Sequence, residues 1–345
     1  MNYEHIWNEW INSDKFSGVF SVSDENGVVF EKCCGFRNRS ENLTNNRDTA
    51  FGIASGTKLF TGLAVCKLID EKKLSLNDKL CDILPYDLGQ IDKRISIFQL
   101  LTHTSGVGDY VDEEAENGFE QLQSLYNKYP VYLWERLKYY LQMIMPLPPK
   151  FEPGERFGYS NAGFVLLGLA IEAVSGISYQ QFVTDNIINP FKLTHTGFYR
   201  MDSLPQNTAL GYMENGRTNI FSMPVIGGSD GGLFTCSGDL NRFWRAIFSN
   251  EILSEEMLQL FLKSQVTKND GDIDLDGDES YGLGIYIYSY RKNIVYYAVG
   301  GDFGVGFFTA YFPKQNIVVS TLGNTEINAY PLLKAIISEI DKKKL

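Results

Sequence analysis

Two residues pose the chemical question, Ser55 and Lys58, three apart in FGIASGTKLFTGLAVCKLIDEKKL, residues 51 to 74. A serine hydroxyl is a weak nucleophile until a neighbouring base takes its proton. On a helix, positions i and i+3 share a face, so an amine at 58 can reach a hydroxyl at 55. The stretch reads as a strand end, a sharp start and then an apolar-periodic helix with Leu59, Phe60, Leu63, Ala64 and Leu68. Ser55 therefore sits near the first turn. There, unpaired N–H groups and the positive dipole end favour developing negative charge. The chemistry predicted is acyl transfer through a covalent serine intermediate.

Ser-x-x-Lys is a weak signal alone, and the chain holds two decoys. Ser289 and Lys292 repeat the spacing in SYRKN between two predicted strands. Strand alternation throws such side chains to opposite faces, so Ser289 reads as a turn residue. Gly227, Ser229 and Gly231 in GGSDG fit the G-x-S-x-G elbow of α/β-hydrolases. That elbow needs a histidine later in the chain. His5, His103 and His195 are the only histidines, and all precede Ser229. The elbow reading fails.

With so few histidines, serine chemistry here points to a lysine or tyrosine as base. The segment FEPGERFGYSNAGFVLLGLAIE places Tyr159-Ser160-Asn161, the chain's one Tyr-x-Asn, in a loop before an apolar helix. A phenol ordinarily titrates near about 10. It serves as a base when an adjacent lysine and a helix mouth lower the cost of its anion.

These residues need elements to hold them. FSGVFSVSDENGVVFEKCCGF alternates apolar and polar positions around Asn26-Gly27, a hairpin signal. Helices and loops fill residues 75 to 265, and strands return at YGLGIYIYSY, IVYYAVGG, VGFFTAYFP and NIVVSTLGN. A last helix closes the chain from about Tyr330. The predicted fold is α/β of the α+β type: an antiparallel sheet flanked by helices, built from both chain ends, with an inserted all-α lobe. Residues 1–70 and 266–345 form the sheet lobe, residues 71–265 the mainly helical lobe, and the active cleft lies between them.

Composition narrows the partners. The 345 residues are 44% hydrophobic, enough for one large core or two fused lobes. A net charge of −11 argues against nucleic acid or an anionic membrane as the main partner. The most apolar helix, FVLLGLAIEAV, is core-sized and too short to span a bilayer. The acidic start NYEHIWNEW shows no signal peptide, so a cytoplasmic location is expected, with export left open. Five cysteines without metal-type spacing (Cys33, Cys34, Cys66, Cys81 and Cys236) read as buried reduced thiols, the adjacent pair as strand residues. In NDGDIDLDGDE, Asp272, Asp274, Asp276 and Gly277 match the opening of a calcium loop, but Leu283 stands where a bidentate Glu is needed. A solvated loop is expected there, and no cofactor or metal.

Eight segments in order resemble the serine β-lactamase and penicillin-binding-protein family, in its branch of class C β-lactamases, esterases and DD-peptidases. They are ASGTKLFTG, LSLNDKLCDILP, ISIFQLLTHTSG, FEPGERFGYSNAGFVLLG, INPFKLTHTGF, GGLFTCSGDLNRFW, YGLGI and VGGDFGVGFF. The resemblance implies an α/β lobe, a helical lobe and a cleft between. It makes Ser55 the acylated nucleophile, Lys58 its proton partner, Tyr159 the general base and acid, and Asn161 a hydrogen-bond partner of substrate and lysine. The family's third motif, Lys- or His-x-Gly, falls on Val299-Gly300-Gly301-Asp302, which are then substrate-binding. The oxyanion hole, by position, is the backbone N–H of Ser55 and of Asp302. His195 in HTG and His103 in THTSG lie elsewhere in the family pattern; the first reads as a loop or surface residue, the second as a structural one.

Val299 departs from that pattern. Valine offers no charge to a substrate carboxylate, and Asp302 repels one. A charge-assisted contact contributes about 1.5–3 kcal/mol. Some esterase and acyltransferase relatives also carry an apolar residue there. The expected substrate is thus a small-molecule or peptide-like ester, or an uncharged amide. The alternatives are a class C-type β-lactamase, a D-alanyl-D-alanine carboxypeptidase, or an inactive binding or sensor protein on the same fold.

Overall fold

The computed structural model describes residues 2–11, 16–111, 113, 118–268, 277–326 and 330–342. The first five positions of the calcium-loop match lie outside them.

The alternating segments at the two chain ends form one antiparallel sheet of eight strands. These are β1 (Gly18–Asp24), β2 (Gly27–Cys34), β3 (Val266–Thr267), β4 (Asp278–Tyr281), β5 (Tyr286–Tyr290), β6 (Asn293–Asp302), β7 (Val305–Phe312) and β8 (Ile317–Gly323). Their order is β2-β1-β8-β7-β6-β5-β4-β3, so the chain ends meet where β1 lies against β8, Gly18 opposite Gly323. The hairpin at Asn26-Gly27 is present, with a bulge after Val22.

Both sheet faces are covered. Phe20, Val22, Phe308 and Val319 pack on Ile6, Trp7 and Ile11 and on Leu333 and Ile336 of the closing helix. Val19, Ile287, Phe307, Val318 and Leu322 face the larger core, which takes in the helices of the chain's middle. Consecutive residues such as Phe307 and Phe308 serve opposite cores because pleated side chains alternate.

Five helices matter for the site and its setting: α1 (Thr57–Asp70), α2 (Ile97–Leu101), α3 (Asn161–Ser175), α4 (Ser237–Phe248) and α5 (Tyr330–Lys342). α2 starts on a capping box made by Ser96 and Gln99. α4 is tied to the sheet where the Trp244 indole N–H donates to Thr309 Oγ1 at 2.9 Å. Between α1 and β3 the chain also holds long loops and a two-residue strand, Phe234–Thr235, which pairs with Phe51–Gly52. Among the described residues no single helix is long and apolar enough to cross a membrane.

Three expectations need correction. YGLGIYIYSY is two strands, because Gly284 takes a φ of +100° and breaks the run between Tyr281 and Tyr286. Ser289 lies inside β5 opposite Ile294, and the turn begins beyond it. Of the cysteines, all free thiols, only Cys66 and Cys236 are buried, while Cys33 on the edge strand β2 is exposed.

Candidate active site

Ser55 sits in a tight 3-10 turn, Ala54–Gly56, that runs into α1. Ala54 there holds a φ of +44°, a strained conformation for a residue with a side chain. Several bonds secure the turn. Gly56 N–H donates to the Ile53 carbonyl at 2.8 Å. The Thr57 hydroxyl donates to the Ala54 carbonyl at 2.7 Å and accepts the Leu233 N–H at 3.0 Å.

Lys58, 2% exposed, reaches back from the first turn of α1. Its ammonium donates to Ser55 Oγ at 2.9 Å, to Asn161 Oδ1 at 2.6 Å and to the Asp230 carbonyl at 2.7 Å. Two of those partners can only accept, so only the position facing Ser55 is free to exchange donor and acceptor roles with the hydroxyl. Burial lowers the Lys58 pKa, and the carboxylates of Asp230, Glu113, Asp109 and Asp302 push it back up. The same nitrogen lies 4.9 Å from the centre of the Tyr159 ring.

Asn161 opens α3 and is fixed from both sides. Its N–H donates to Asp109 Oδ2 at 2.6 Å, and its side-chain Nδ2 donates to Glu113 Oε1 at 2.8 Å. Glu113 takes the amide nitrogen and Lys58 faces the amide oxygen, so the orientation of the side chain is determined. Ser160 caps α3 by accepting the Gly163 N–H at 3.0 Å.

The third side of the site is the end of β6. β5 pairs with β6 only as far as Tyr297, whereas β7 accompanies it to Asp302. The edge left without a strand, residues 298–302, runs against the Ser55 turn. Gly300 is required at this crossing, since a Cβ there would lie 2.1 Å from the Ile53 carbonyl oxygen. Burial, with further help from Asp230 and Glu113, pushes the Asp302 carboxyl up to about 7.

Ser55, Tyr159, Asn161, Val299, Gly300, Gly301 and Asp302 all line one cleft of about 250 Å³, and Lys58 bonds to Ser55 from its wall. A smaller cavity that shares Asp230, Gly231 and Asp302 with the cleft extends to Met201 and Met223. The decoys lie apart from this chemistry. Ser229 is fully buried and its carbonyl accepts the Thr61 hydroxyl at 2.6 Å. His195 is a half-buried turn residue whose N–H donates to Asp239 at 2.7 Å.

Several lining residues escaped the sequence reading, among them Asp230, Glu113 and Tyr110. Asp230 supplies a backbone carbonyl to Lys58, and its carboxylate accepts the Tyr110 hydroxyl. Its signal lay in the GGSDG segment, one residue beyond the serine that attracted the elbow comparison. Glu113 and Tyr110 lie in YVDEE, whose acidic residues look like any solvated loop. A serine hydroxyl, a buried lysine, a phenol and an unpaired strand edge around one cleft make an arrangement suited to acyl transfer.

The family model described as Beta-lactamase matches residues 11–336. A penicillin-binding protein from Bacillus halodurans is 38% identical over 97% of this chain and 99% of its own, with a TM-score of 0.86. Protein flp of Staphylococcus aureus strain MRSA252 is 34% identical over 58% of this chain, a match that spans 38% of that relative's length. The teichoic acid D-alanine hydrolase of Staphylococcus aureus is 25% identical over 97% of this chain and 77% of its own.

Proposed function

Since the chain belongs to the beta-lactamase family, we propose that it is a serine hydrolase that carries acyl groups on Ser55. The observation that supports this most is the Lys58 ammonium, held on three partners of which one is Ser55 Oγ at 2.9 Å. In this reading the sheet lobe, residues 1–70 and 266–345, brings Ser55, Lys58 and β6. The helical lobe, residues 71–265, brings Tyr159, Asn161 and Asp230 to the facing wall.

The steps follow from that arrangement. Tyr159, as a phenolate supported by Lys58, takes the Ser55 proton while Oγ bonds to the substrate carbonyl carbon. The oxyanion rests on the N–H groups of Ser55 and Gly301, each such donor being worth about 3–4 kcal/mol. The register with β7, Asp302 opposite Val305 across a two-residue turn, points the Asp302 N–H into the hairpin and not, as position in the motif suggested, at Ser55. The bond to the leaving group breaks as Tyr159 returns the proton to it. Water then attacks the acyl-Ser55 with Tyr159 again as base, which releases the acid. Replacing Ser55 with Ala abolishes the burst of p-nitrophenol from a p-nitrophenyl ester; a burst of undiminished size moves the nucleophile elsewhere.

Charge decides between substrates. The described cleft carries Glu113, Asp230 and Asp302 and, at the third motif, the apolar Val299. The carboxylate of a β-lactam or of a D-alanyl-D-alanine terminus meets repulsion here, so esters and amides without one are preferred. The same carboxylates favour an acyl group with a free ammonium. The name of the staphylococcal D-alanine hydrolase, which implies an aminoacyl substrate, supports that choice. Nitrocefin turnover faster than that of an alanyl ester reverses it.

A further inference from the structure

The loop that carries Tyr159 has a template beneath it. The turn at residues 102–106 accepts four hydrogen bonds from that loop. Lys150 N–H donates to the Gly106 carbonyl at 2.8 Å, Gly154 N–H to the Thr104 carbonyl at 2.7 Å and Gly158 N–H to the His103 carbonyl at 2.8 Å. The fourth bond comes from a side chain of the turn: Ser160 N–H donates to His103 Nδ1 at 3.0 Å. His103 thus holds the residues on both sides of Tyr159. Its ring also lies against the Tyr159 ring, centroids 4.4 Å apart at 31°.

The packing around His103 suits that hold, although its buried Nε2 has no hydrogen-bond partner among the described residues. It is 1% exposed and walled by the rings of Phe157, Phe164 and Tyr281. Its φ is +57°, so the backbone turns back to present carbonyl and ring to the same loop. Nδ1 accepts a proton donor, which leaves the ring proton on Nε2, the neutral tautomer. Gly106, with a φ of +64°, closes the turn against Phe151, where a Cβ would lie 2.0 Å from that residue's carbonyl oxygen.

We infer that His103 is a positioning residue for Tyr159: it never touches substrate, but its carbonyl, Nδ1 and ring fix where the phenol stands relative to Ser55. The inference rests on the reading of Tyr159 as the proton carrier. Two substitutions separate its parts. His103→Asn keeps an acceptor near the Nδ1 position and tolerates the positive φ. His103→Phe keeps a ring and removes the acceptor.

The test is pre-steady-state acylation by a p-nitrophenyl ester, with burst amplitude counting the folded, competent sites. For His103→Phe the acylation rate constant per titrated site falls about tenfold to a hundredfold, since small misplacements of a reacting group have that effect. KM stays near the parent value, and His103→Asn recovers most of the rate. Equal losses in the two variants, or a parental rate per site in His103→Phe with only the amplitude reduced, overturn the inference. Nitrogen-15 NMR of the three histidines in the unaltered protein gives a reading that needs no variant. His103 shows the neutral Nε2–H tautomer throughout the active pH range; an Nδ1–H or doubly protonated ring contradicts the proposal. If the parent chain gives no burst with any ester, the Ser55 reading has failed. The tautomer and a crystal structure of His103→Phe, with Tyr159 displaced as expected or unmoved against expectation, then decide the inference alone.

Discussion

At the scale of single residues, the site concentrates unlike charges where water is scarce. Lys58 is buried among Asp230, Glu113, Asp109 and Asp302, and burial pushes the carboxyls of Asp109 and Asp302 up to about 7. For Asp302 the direction gives a stability prediction. The unfolded carboxyl ionises near 3.8, so between 3.8 and about 7 the folded chain binds more protons at this position than the unfolded chain. The favourable contribution is complete below the lower value and is lost as pH rises through the upper one. Asp302→Asn stays neutral throughout. Its melting temperature relative to the parent should therefore rise between about pH 5 and about pH 8; a constant difference contradicts the buried-charge account. Residue chemistry was also the most legible part of the sequence. Ser55, Lys58, Tyr159 and Asn161 announce themselves by type and spacing. The Asp230 contribution to Lys58 does not, because a backbone carbonyl carries no side-chain signature.

Elements decide whether those residues meet. Ser55 faces β6 because β5 stops pairing at Tyr297 and leaves residues 298–302 free to run along the 3-10 turn. That crossing has no room for a side chain at 300, given the 2.1 Å a Cβ would have to the Ile53 oxygen. Gly300→Ala should push the strand off the turn and lower ester acylation by about a hundredfold, as misplaced oxyanion donors do. Stopped-flow rates near parental would mean that this strand edge plays no part in the chemistry. Periodicity made most elements visible in advance. The hairpin at Asn26-Gly27, the strands that became β6, β7 and β8, and the helix after Ser55 follow from alternation and apolar spacing. What it left ambiguous was a local backbone event: the Gly284 turn splits YGLGIYIYSY, and composition offers Gly282 and Gly284 as candidate breaks without saying which one turns the chain. The role of THTSG as a template for the Tyr159 loop was equally hidden. Most of its contacts are backbone bonds between segments some 50 residues apart, such as Gly158 to His103.

For the whole molecule, charge is the organising feature. The chain carries a net −11, and its cleft sets Glu113, Asp230 and Asp302 around Lys58, the last carboxyl adding its full charge only above about pH 7. A field of one sign concentrates cations and depletes anions near the cleft, and salt screens it over about 10 Å at 0.1 M. Of two p-nitrophenyl esters matched in size, one with an ammonium and one with a carboxylate, the cationic one should give the higher kcat/KM. The ratio should shrink as salt is added. Preference for the anionic ester, or a ratio indifferent to salt, removes the electrostatic basis of the substrate reading. The overall architecture was readable because both chain ends alternate while the middle does not. The long loops that bring Glu113 and Asp230 to the cleft wall have no period to read.

The most direct measurement is to inactivate the protein with a fluorophosphonate and map the adduct by peptide mass spectrometry. A single modification on Ser55, absent from the Ser55→Ala variant and slowed by prior acylation with an ester, is the predicted result. An adduct on another residue, or ester hydrolysis that persists at the parental rate in Ser55→Ala, contradicts the account at its root.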